Sequence, residues 1–368
     1  MWSAPRASDQ RPGRGAGAGT GGRGAETEVG GDVTAAAERP GVALPPTAGA
    51  GARSWSGTLD PIDSAESPGP RRHARGRFGS NGEEGTTMAE RPGRKNPRAR
   101  RAQVRRVEPL TPHMIRIVLG GPGLEDFALG GCTDHYVKLL FPPDGGAYPE
   151  PFDPQRIREE QPRERWPVMR TYTVRRWDPH ECELSLDFVY HGDKGIAGPW
   201  AAAARPGDDL YFSGPGGGYA PDPSADWHLL AGDESALPAI AAALEHLPRG
   251  ARAHAFVEVA GPQEEQTLET AADASITWLH RGSEGVGAPL VRAVAGLEFP
   301  PGDVQAFVHG EAGFVKELRR LLRTERGVDR ERLSVSGYWR LGLNEDGWQS
   351  AKREWNREVE AEQEAAVG

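Results

Sequence analysis

Two patterns of hydrophobic and polar positions divide the chain. Between residues 103 and 219, short segments alternate apolar and polar side chains and are separated by glycine and proline, as is typical of antiparallel strands. From Asp226 onwards, compact apolar segments alternate with helical ones, which indicates a parallel sheet. The sequence therefore predicts an α+β/α/β protein, with an antiparallel β-barrel followed by a doubly wound parallel-sheet domain.

The predicted elements follow these patterns. The barrel strands lie in VRRVEPLTPHMIRIVLGG, DHYVKLLFPP, MRTYTVRRW, CELSLDFVYH and DLYFSGPGG, with a proline-rich insertion over 144–167. The second part contains predicted strands at 227–231, 253–259, 276–279, 305–309 and 333–336 and helices at 237–247 and 314–326. We expect a disordered tail at 1–97, a barrel domain at 98–222, an α/β domain at 223–341 and a C-terminal helix at 342–368.

The first 97 residues are mainly Gly, Ala, Pro, Arg, Ser and Glu in irregular order. Such a segment buries too little apolar surface to offset its chain entropy, so we predict that it is disordered. A recognisable strand begins only at Ala102, which makes Met88 a candidate start of translation.

Composition narrows the class of protein. The chain has 368 residues, 37% of them hydrophobic, and a formal net charge of -9, which fits about two globular domains and argues against nucleic acid as a partner. Cys132 and Cys182 are too few for a disulfide framework and have no zinc-ligand spacing, so we interpret them as buried apolar residues in a reducing compartment. No apolar run approaches the roughly 18 residues of a membrane span. We expect a cytoplasmic protein that does not insert into membranes.

Residues 170–175 (RTYTVR) are the first candidate site. In a strand, Arg170, Tyr172 and Val174 share one face, and the two threonines and Arg175 share the other. An arginine fork suits a phosphate, and an aromatic ring and a hydroxyl suit a flat ring system. The alternative is an ordinary solvent-facing strand.

A second candidate is the segment 188–200 (FVYHGDKGIAGPW), in which a strand leads through a glycine turn into an alanine-rich helix. Free backbone N–H groups and the helix dipole at such a turn attract phosphate.

The order of several motifs over some 250 residues resembles that of the siderophore-interacting proteins, flavin-dependent ferric-siderophore reductases of the ferredoxin reductase-like superfamily. These motifs are YVKLLFP (136–142), RTYTVR (170–175), DFVYHGD (187–193), PGD (206–208), AGDESALPAI (231–240), HGEAG (309–313) and GYWR (337–340).

The resemblance implies that Arg170 and the glycine turn hold the FAD pyrophosphate, that Tyr172 and Thr173 line the isoalloxazine, and that His191 touches the flavin or its tail. A structural role for His191 is the alternative. Where the family has a serine before the helix, this chain has Gly198, which removes a hydroxyl contact but leaves the backbone donors. The predicted cofactor-binding set also includes Thr171, Val189, Gly195 and Ala197.

The turn formed by Gly232, Asp233, Glu234 and Ser235 lies where a dinucleotide fold contacts a pyrophosphate, although its two carboxylates would repel a phosphate placed on them. The resemblance implies that this turn binds the nicotinamide nucleotide through backbone contacts. The same acids also fit the start of a helix. The HGEAG motif with Glu311 faces the same cleft, and Trp339 is expected either to shield the flavin or to pack in the core.

Three acids bear on the choice of nucleotide. Glu258 ends the second predicted strand of the α/β domain and is followed by Glu264 and Glu265, with no arginine nearby. Acids there suit a ribose 2′-hydroxyl, so we favour NADH over NADPH, although a solvated acidic loop explains them equally well.

Lys138 and Arg340 are the cations expected to face the open side of the flavin and to gather an anionic ferric siderophore. The predicted activity moves electrons from NADH or NADPH through FAD to Fe(III), with a ferredoxin as an alternative donor. A general flavin reductase, an electron-transfer reductase and a non-catalytic siderophore-binding module remain alternatives.

The last segment begins with Asn344 as N-cap, and we expect its apolar stripe to dock on the protein or on a second subunit; the stripe consists of Trp348, Ala351, Trp355 and Val359.

Overall fold

The structure, a computed structural model, describes residues 99–143, 148 and 150–367, with the side chains of 363–367 excepted. The predicted tail at 1–97, the candidate start at Met88 and part of the predicted insertion lie outside the described residues.

The first part of the described chain is a closed antiparallel barrel in the order β1-β2-β5-β4-β3-β6. Its strands are β1 Arg100–Thr111, β2 Met114–Gly120, β3 Tyr136–Phe141, β4 Val168–Asp178, β5 Glu183–Val189 and β6 Asp209–Gly216. Strand alternation explains the closure: Val137 and Leu139 of β3 are fully buried inside the barrel, whereas Lys138 between them points outwards. The predicted barrel is confirmed.

The second part is a parallel sheet in the order β11-β10-β7-β8-β9. Its strands are β7 Trp227–Asp233, β8 Arg252–Val259, β9 Asp273–His280, β10 Val304–Glu311 and β11 Leu333–Trp339. All four strand pairs are parallel, so the predicted parallel-sheet fold is also confirmed. The order reverses between β7 and β10, and open α/β sheets bind ligands at the carboxyl ends of strands at such a point.

Six α-helices accompany the two sheets in the described residues. They are α1 Pro154–Glu160, α2 Ala197–Ala203, α3 Leu237–His246, α4 Ala288–Ala295, α5 Ala312–Arg320 and α6 Glu345–Val367. The predicted helix at 314–326 begins two residues earlier, at Ala312, and its end is a π-helical turn over Leu321–Glu325. The sequence analysis did not predict α1 or α4.

Ion pairs and hydrogen bonds join the barrel to the sheet part. Arg175 of β4 pairs with Glu245 of α3 at 2.5 Å between Nη2 and Oε1. The buried carboxylate of Glu264 accepts hydrogen bonds from Thr111 and from the backbone N–H of His113 in the turn after β1. The exact division into domains at 222/223 and 341/342 stays a prediction.

Two sequence expectations about single residues can be compared with the structure. Cys132 and Cys182 are free but only half-buried, so the expectation that both are buried is wrong. The expectation for α6 is confirmed: Asn344 caps the helix by accepting from the N–H of Gly347 at 2.8 Å. Trp348 is fully buried and Trp355 packs against the core under the sheet, so the stripe docks on its own chain.

Candidate functional site

Arg170 lies on β4 with its guanidinium held by two groups. Nη1 donates to the carbonyl oxygen of Met169 at 2.8 Å and to Oδ1 of Asp346 at 3.0 Å, and Nη2 donates to Oδ2 of Asp346 at 3.3 Å. The side chain is 14% exposed. Among the residues that the structure describes, no acceptor meets Nε, so the edge of the guanidinium formed by Nε and Nη2 retains hydrogen-bond donors for a ligand.

The neighbours of Arg170 on β4 alternate as the sequence predicts. The Tyr172 ring stacks on Phe188 at 4.2 Å, and Phe188 packs against Trp200 of α2 at 5.7 Å. Burial raises the pKa of the Tyr172 hydroxyl well above its usual range, so this hydroxyl is a permanent donor. Thr171 faces outwards and accepts from Nζ of Lys138 at 3.4 Å.

The glycine turn between β5 and α2 has the backbone geometry expected of a phosphate cradle. Gly192 and Gly195 both have φ of +86°, a conformation that favours glycine. No side chain caps α2; because Pro199 has no N–H and the N–H of Trp200 bonds to the carbonyl oxygen of Ile196, the first turn offers the N–H groups of Ala197 and Gly198 as candidate phosphate donors.

Gly198 lies at the second position of α2, so the expectation that it precedes the helix is wrong. A Cβ atom there would approach the carbonyl oxygen of Val189 to 3.1 Å, which explains the glycine by the close packing of α2 on β5. Ala197 is buried in the barrel core. His191 is exposed, so its contact with the flavin stays a prediction.

The turn after β7 is built around the fully buried carboxylate of Asp233. Oδ1 accepts from the N–H of Ser235 at 3.0 Å and from its hydroxyl at 2.5 Å, and Oδ2 accepts from the N–H of Glu311 at 2.9 Å and from Nε1 of Trp339 at 2.8 Å. Burial raises the pKa of Asp233 to about 6. The carboxylate therefore organises the turn. Helix α3 begins at Leu237 with Ala236 as its N-cap and without a side-chain cap, so Ser235 does not cap it, and the nucleotide contact of this turn stays a prediction.

Gly232 and Glu311 also have structural roles at this edge. A Cβ on Gly232 would lie 2.6 Å from the Cβ of Ala236 and 2.6 Å from the carbonyl oxygen of His309. Glu311 caps α5 by accepting from the N–H groups of Gly313 and Phe314 at 2.6 and 3.3 Å. Asp233 and Glu311 thus stand on either side of the point where the strand order reverses.

The structure removes the argument for NADH. Glu258 is fully buried and accepts from Nε of Arg281 at 2.8 Å, so the expectation of no arginine nearby is wrong. The same guanidinium pairs with Glu234 at 2.7 Å. Glu264 is engaged with the barrel, and Glu265 pairs with His280 at 2.7 Å. None of these acids is left free to distinguish a ribose hydroxyl from a phosphate.

Lys138 and Arg340 both reach the surface, and Lys138 lies 5.7 Å from the centre of the Tyr136 ring. A third cation, Lys352 of α6, is not among the predicted site residues; its Nζ donates to the hydroxyl of Ser336 at 3.2 Å. Burial lowers the pKa of Lys352, and the charge of Lys138 lowers it further. Lys352 follows the buried Trp348 by one helical turn, so the helical period alone would have placed it on the docked side.

A groove of about 1520 Å³ runs along the outer face of β3 and β6. Lys138, Tyr136, Met169 and Tyr211 are among its lining residues, and Met169 precedes Arg170 in the chain. In the described residues, no cluster of three or more His, Cys, Asp or Glu side chains could hold a metal ion. Nor does any helix in this part of the chain have the length and apolar character to cross a membrane.

Comparisons with known proteins agree with this arrangement. Residues 103–219, which form the barrel, match the model of the siderophore-interacting FAD-binding domain. Residues 225–342 match the model described as siderophore-interacting protein. Helix α6 lies outside both matched ranges.

The match to each of the following relatives covers most of that relative's length. An uncharacterized protein of Mycobacterium tuberculosis is 48% identical over 273 residues, which are 70% of this chain and 94% of that protein. The ferric vibriobactin reductase ViuB of Vibrio cholerae is 35% identical over 244 residues, covering 64% of this chain and 87% of ViuB. The crystal structure of a siderophore utilization protein from T. fusca has 42% identity and a TM-score of 0.59, and covers 67% of this chain and 95% of that one.

Proposed function

Because this chain belongs to the siderophore-interacting protein family, we propose that it is an FAD-dependent oxidoreductase that reduces ferric siderophores with electrons from a nicotinamide nucleotide. The observation that carries the proposal is that adjacent residues of β11 join the candidate flavin site on the barrel to the candidate nucleotide site on the parallel sheet. Thr173 on β4 of the barrel interacts with Tyr338 on β11, and the next residue, Trp339, bonds to Asp233 at the strand-order reversal.

The barrel residues fit FAD by the chemistry of their donors. The open edge of Arg170 and the uncapped first turn of α2 suit the pyrophosphate, and Tyr172 and Thr173 suit the ring system. When bound, FAD supplies the conversion of a two-electron donor into single electrons for Fe(III). The protein's contribution is to orient the partners and to exclude water from the contact between them.

The turn after β7 is the proposed nucleotide site, with backbone N–H groups as the binding elements. Trp339, fixed by Asp233, forms the wall between that turn and the flavin side of β4. The donor in this proposal is NADH or NADPH, and a ferredoxin is the alternative donor. A cytoplasmic location is part of the proposal because that compartment holds the reduced nucleotides.

The cations and the groove are the proposed site for the ferric siderophore. Lys138 lines the groove, Lys352 lies close enough to Lys138 for that charge to lower its pKa, and Arg340 follows Trp339 at the surface; many ferric siderophores are anionic complexes, which these cations would attract. The siderophore keeps the metal, so no protein ligand set is needed. Fe(II) binds hard oxygen donors less tightly and leaves after reduction.

One anaerobic experiment tests this function. The visible spectrum of the purified protein is recorded with FAD, then NADH and NADPH are added separately, and finally a ferric siderophore is added with a coloured Fe(II) chelator. We expect bleaching by at least one nucleotide, rapid reoxidation by the siderophore and formation of the Fe(II) complex. A protein that stays colourless and takes up no added FAD would refute the proposal.

The same experiment separates the alternatives. If reduced protein reacts with free flavin but not with the ferric siderophore, the protein is a general flavin reductase. If neither nucleotide bleaches bound FAD but a reduced ferredoxin does, the donor is a ferredoxin. An Arg170→Gln variant should bind FAD more weakly than the wild type, since it loses the charged fork for phosphate.

A further inference from the structure

Helix α6 reaches the proposed flavin site although it lies outside both ranges matched by the family models. Its first turn carries Asp346, which pairs with Arg170 across 176 residues of sequence. This inference rests on the proposed function, because it concerns how Arg170 is prepared for FAD.

The donors of Arg170 divide cleanly. A guanidinium has five N–H groups. The carbonyl of Met169 and Oδ1 of Asp346 take the two hydrogens of Nη1, and Oδ2 of Asp346 takes one hydrogen of Nη2. The two that remain, on Nε and Nη2, lie along one edge and point the same way. That edge matches two oxygens of a phosphate.

Asp346 therefore binds the Nη1–Nη2 edge of the guanidinium and leaves the Nε–Nη2 edge without a partner among the described residues. We propose that Asp346 is a positioning residue, which fixes the Arg170 fork in the orientation that receives an FAD phosphate. A free arginine has many rotamers, and immobilising it on binding would weaken the affinity for FAD.

The position of Asp346 is itself fixed by packing. Two residues later, Trp348 is fully buried, and the N–H of Trp348 bonds to the carbonyl oxygen of Asn344 at 2.9 Å. Trp348 packs against Gly337 of β11, where an added Cβ would lie 2.9 Å from the indole, so the first turn of α6 is anchored on the parallel sheet, although the Asp346 side chain is 68% exposed. A solvent-exposed ion pair contributes little stability alone, so its effect should be visible in ligand binding rather than in folding.

The test compares the binding of FAD with that of riboflavin, which has the same ring system but no phosphate. Affinities are measured by quenching of flavin fluorescence in wild-type protein, Asp346→Asn and Glu358→Gln. Glu358→Gln is the matched control, because Glu358 is an exposed acid on the same helix that makes no hydrogen bond or ion pair with any other described residue. Thermal unfolding of the flavin-free proteins shows whether each variant folds.

We expect Asp346→Asn to weaken FAD binding about three- to tenfold, the range for immobilising one long side chain. Riboflavin binding should not change, and Glu358→Gln should bind both flavins like the wild type. In an Arg170→Gln background, Asp346→Asn should have no further effect on FAD.

Several results would overturn the inference. Removing a negative charge beside the phosphate would by itself strengthen binding, so tighter FAD binding by Asp346→Asn would show that Asp346 competes with the cofactor. Unchanged FAD binding, or equal weakening for FAD and riboflavin, would show that α6 only packs on the parallel sheet and does not prepare Arg170 for the phosphate. If the wild type binds no FAD, the proposed function fails and this inference fails with it.

Discussion

The burial of His309 predicts how the free energy of unfolding changes at acid pH. Its ring is 4% exposed, stacks on Phe307 at 3.7 Å and bonds through Nε2 to the hydroxyl of Ser334 at 3.0 Å. Within the described residues, its Nδ1 is buried without a hydrogen-bond partner. Burial, helped by the positive charge of Lys352, lowers the pKa of His309 to about 3. The folded protein therefore keeps this imidazole neutral.

The sign and size of the effect follow from the difference between the two states. In the unfolded chain, the histidine takes up a proton near pH 6.5, whereas in the folded state it does so only near pH 3. Stability is therefore lost as the pH falls below 6.5, at about 1.4 kcal/mol per pH unit. Between pH 7.5 and 5.0, this single group should lower the free energy of unfolding by about 2 kcal/mol.

The assay is urea unfolding of the flavin-free protein at pH 7.5 and 5.0, for the wild type and for His309→Gln. Glutamine keeps a polar group near Ser334 but does not titrate. The stability advantage of the wild type over His309→Gln should shrink by about 2 kcal/mol between the two pH values. Contributions from the other buried histidines, such as His228, are present in both proteins and cancel.

His180→Gln serves as the control, because it removes an exposed histidine outside the proposed site. If the difference between wild type and His309→Gln is the same at both pH values, the imidazole is not kept neutral by burial and the reasoning is refuted.

Two further predictions concern packing and buried charge. Trp348→Ala removes a fully buried ring and should lower the free energy of unfolding by about 3 to 5 kcal/mol; a loss below about 1 kcal/mol in urea unfolding would contradict the docking of α6. Arg281→Gln leaves the buried carboxylate of Glu258 without its cation and should cost about 3 to 5 kcal/mol, whereas the double variant Arg281→Gln/Glu258→Gln should be more stable than the single one.

The fold was predictable because its signals are local. Alternating positions identify the strands of the barrel, and compact apolar segments identify those of the parallel sheet. The two missed helices are short and begin next to proline: α1 starts at Pro154, and Pro289 is the second residue of α4. Gly287, with φ of +84°, immediately precedes α4. Because glycine and proline together are typical of loops, the local sequence does not indicate this helix.

The partners of the site residues were not predictable in the same way. The sequence identifies Arg170 and Tyr172 as candidates, since both belong to one strand. Asp346, however, lies 176 residues away, and its contact depends on how α6 packs on β11 of the parallel sheet. Arg281 reaches Glu258 only because β9 runs beside β8 and ends at the same edge of the sheet. The spacing of these residues along the chain predicts neither the Arg170–Asp346 contact nor the Arg281–Glu258 contact.

The acids at this edge resolve a conflict that the sequence raised. Carboxylates at the ends of parallel strands should repel a nucleotide phosphate, yet Asp233 and Glu311 end β7 and β10, and Glu258 is the last residue but one of the neighbouring β8. In the structure each one accepts N–H donors of its own chain, and Glu258 also has the guanidinium of Arg281. All three carboxylates are therefore buried and hydrogen-bonded within the protein rather than exposed at the strand ends. A phosphate bound there would therefore not face an unpaired negative charge.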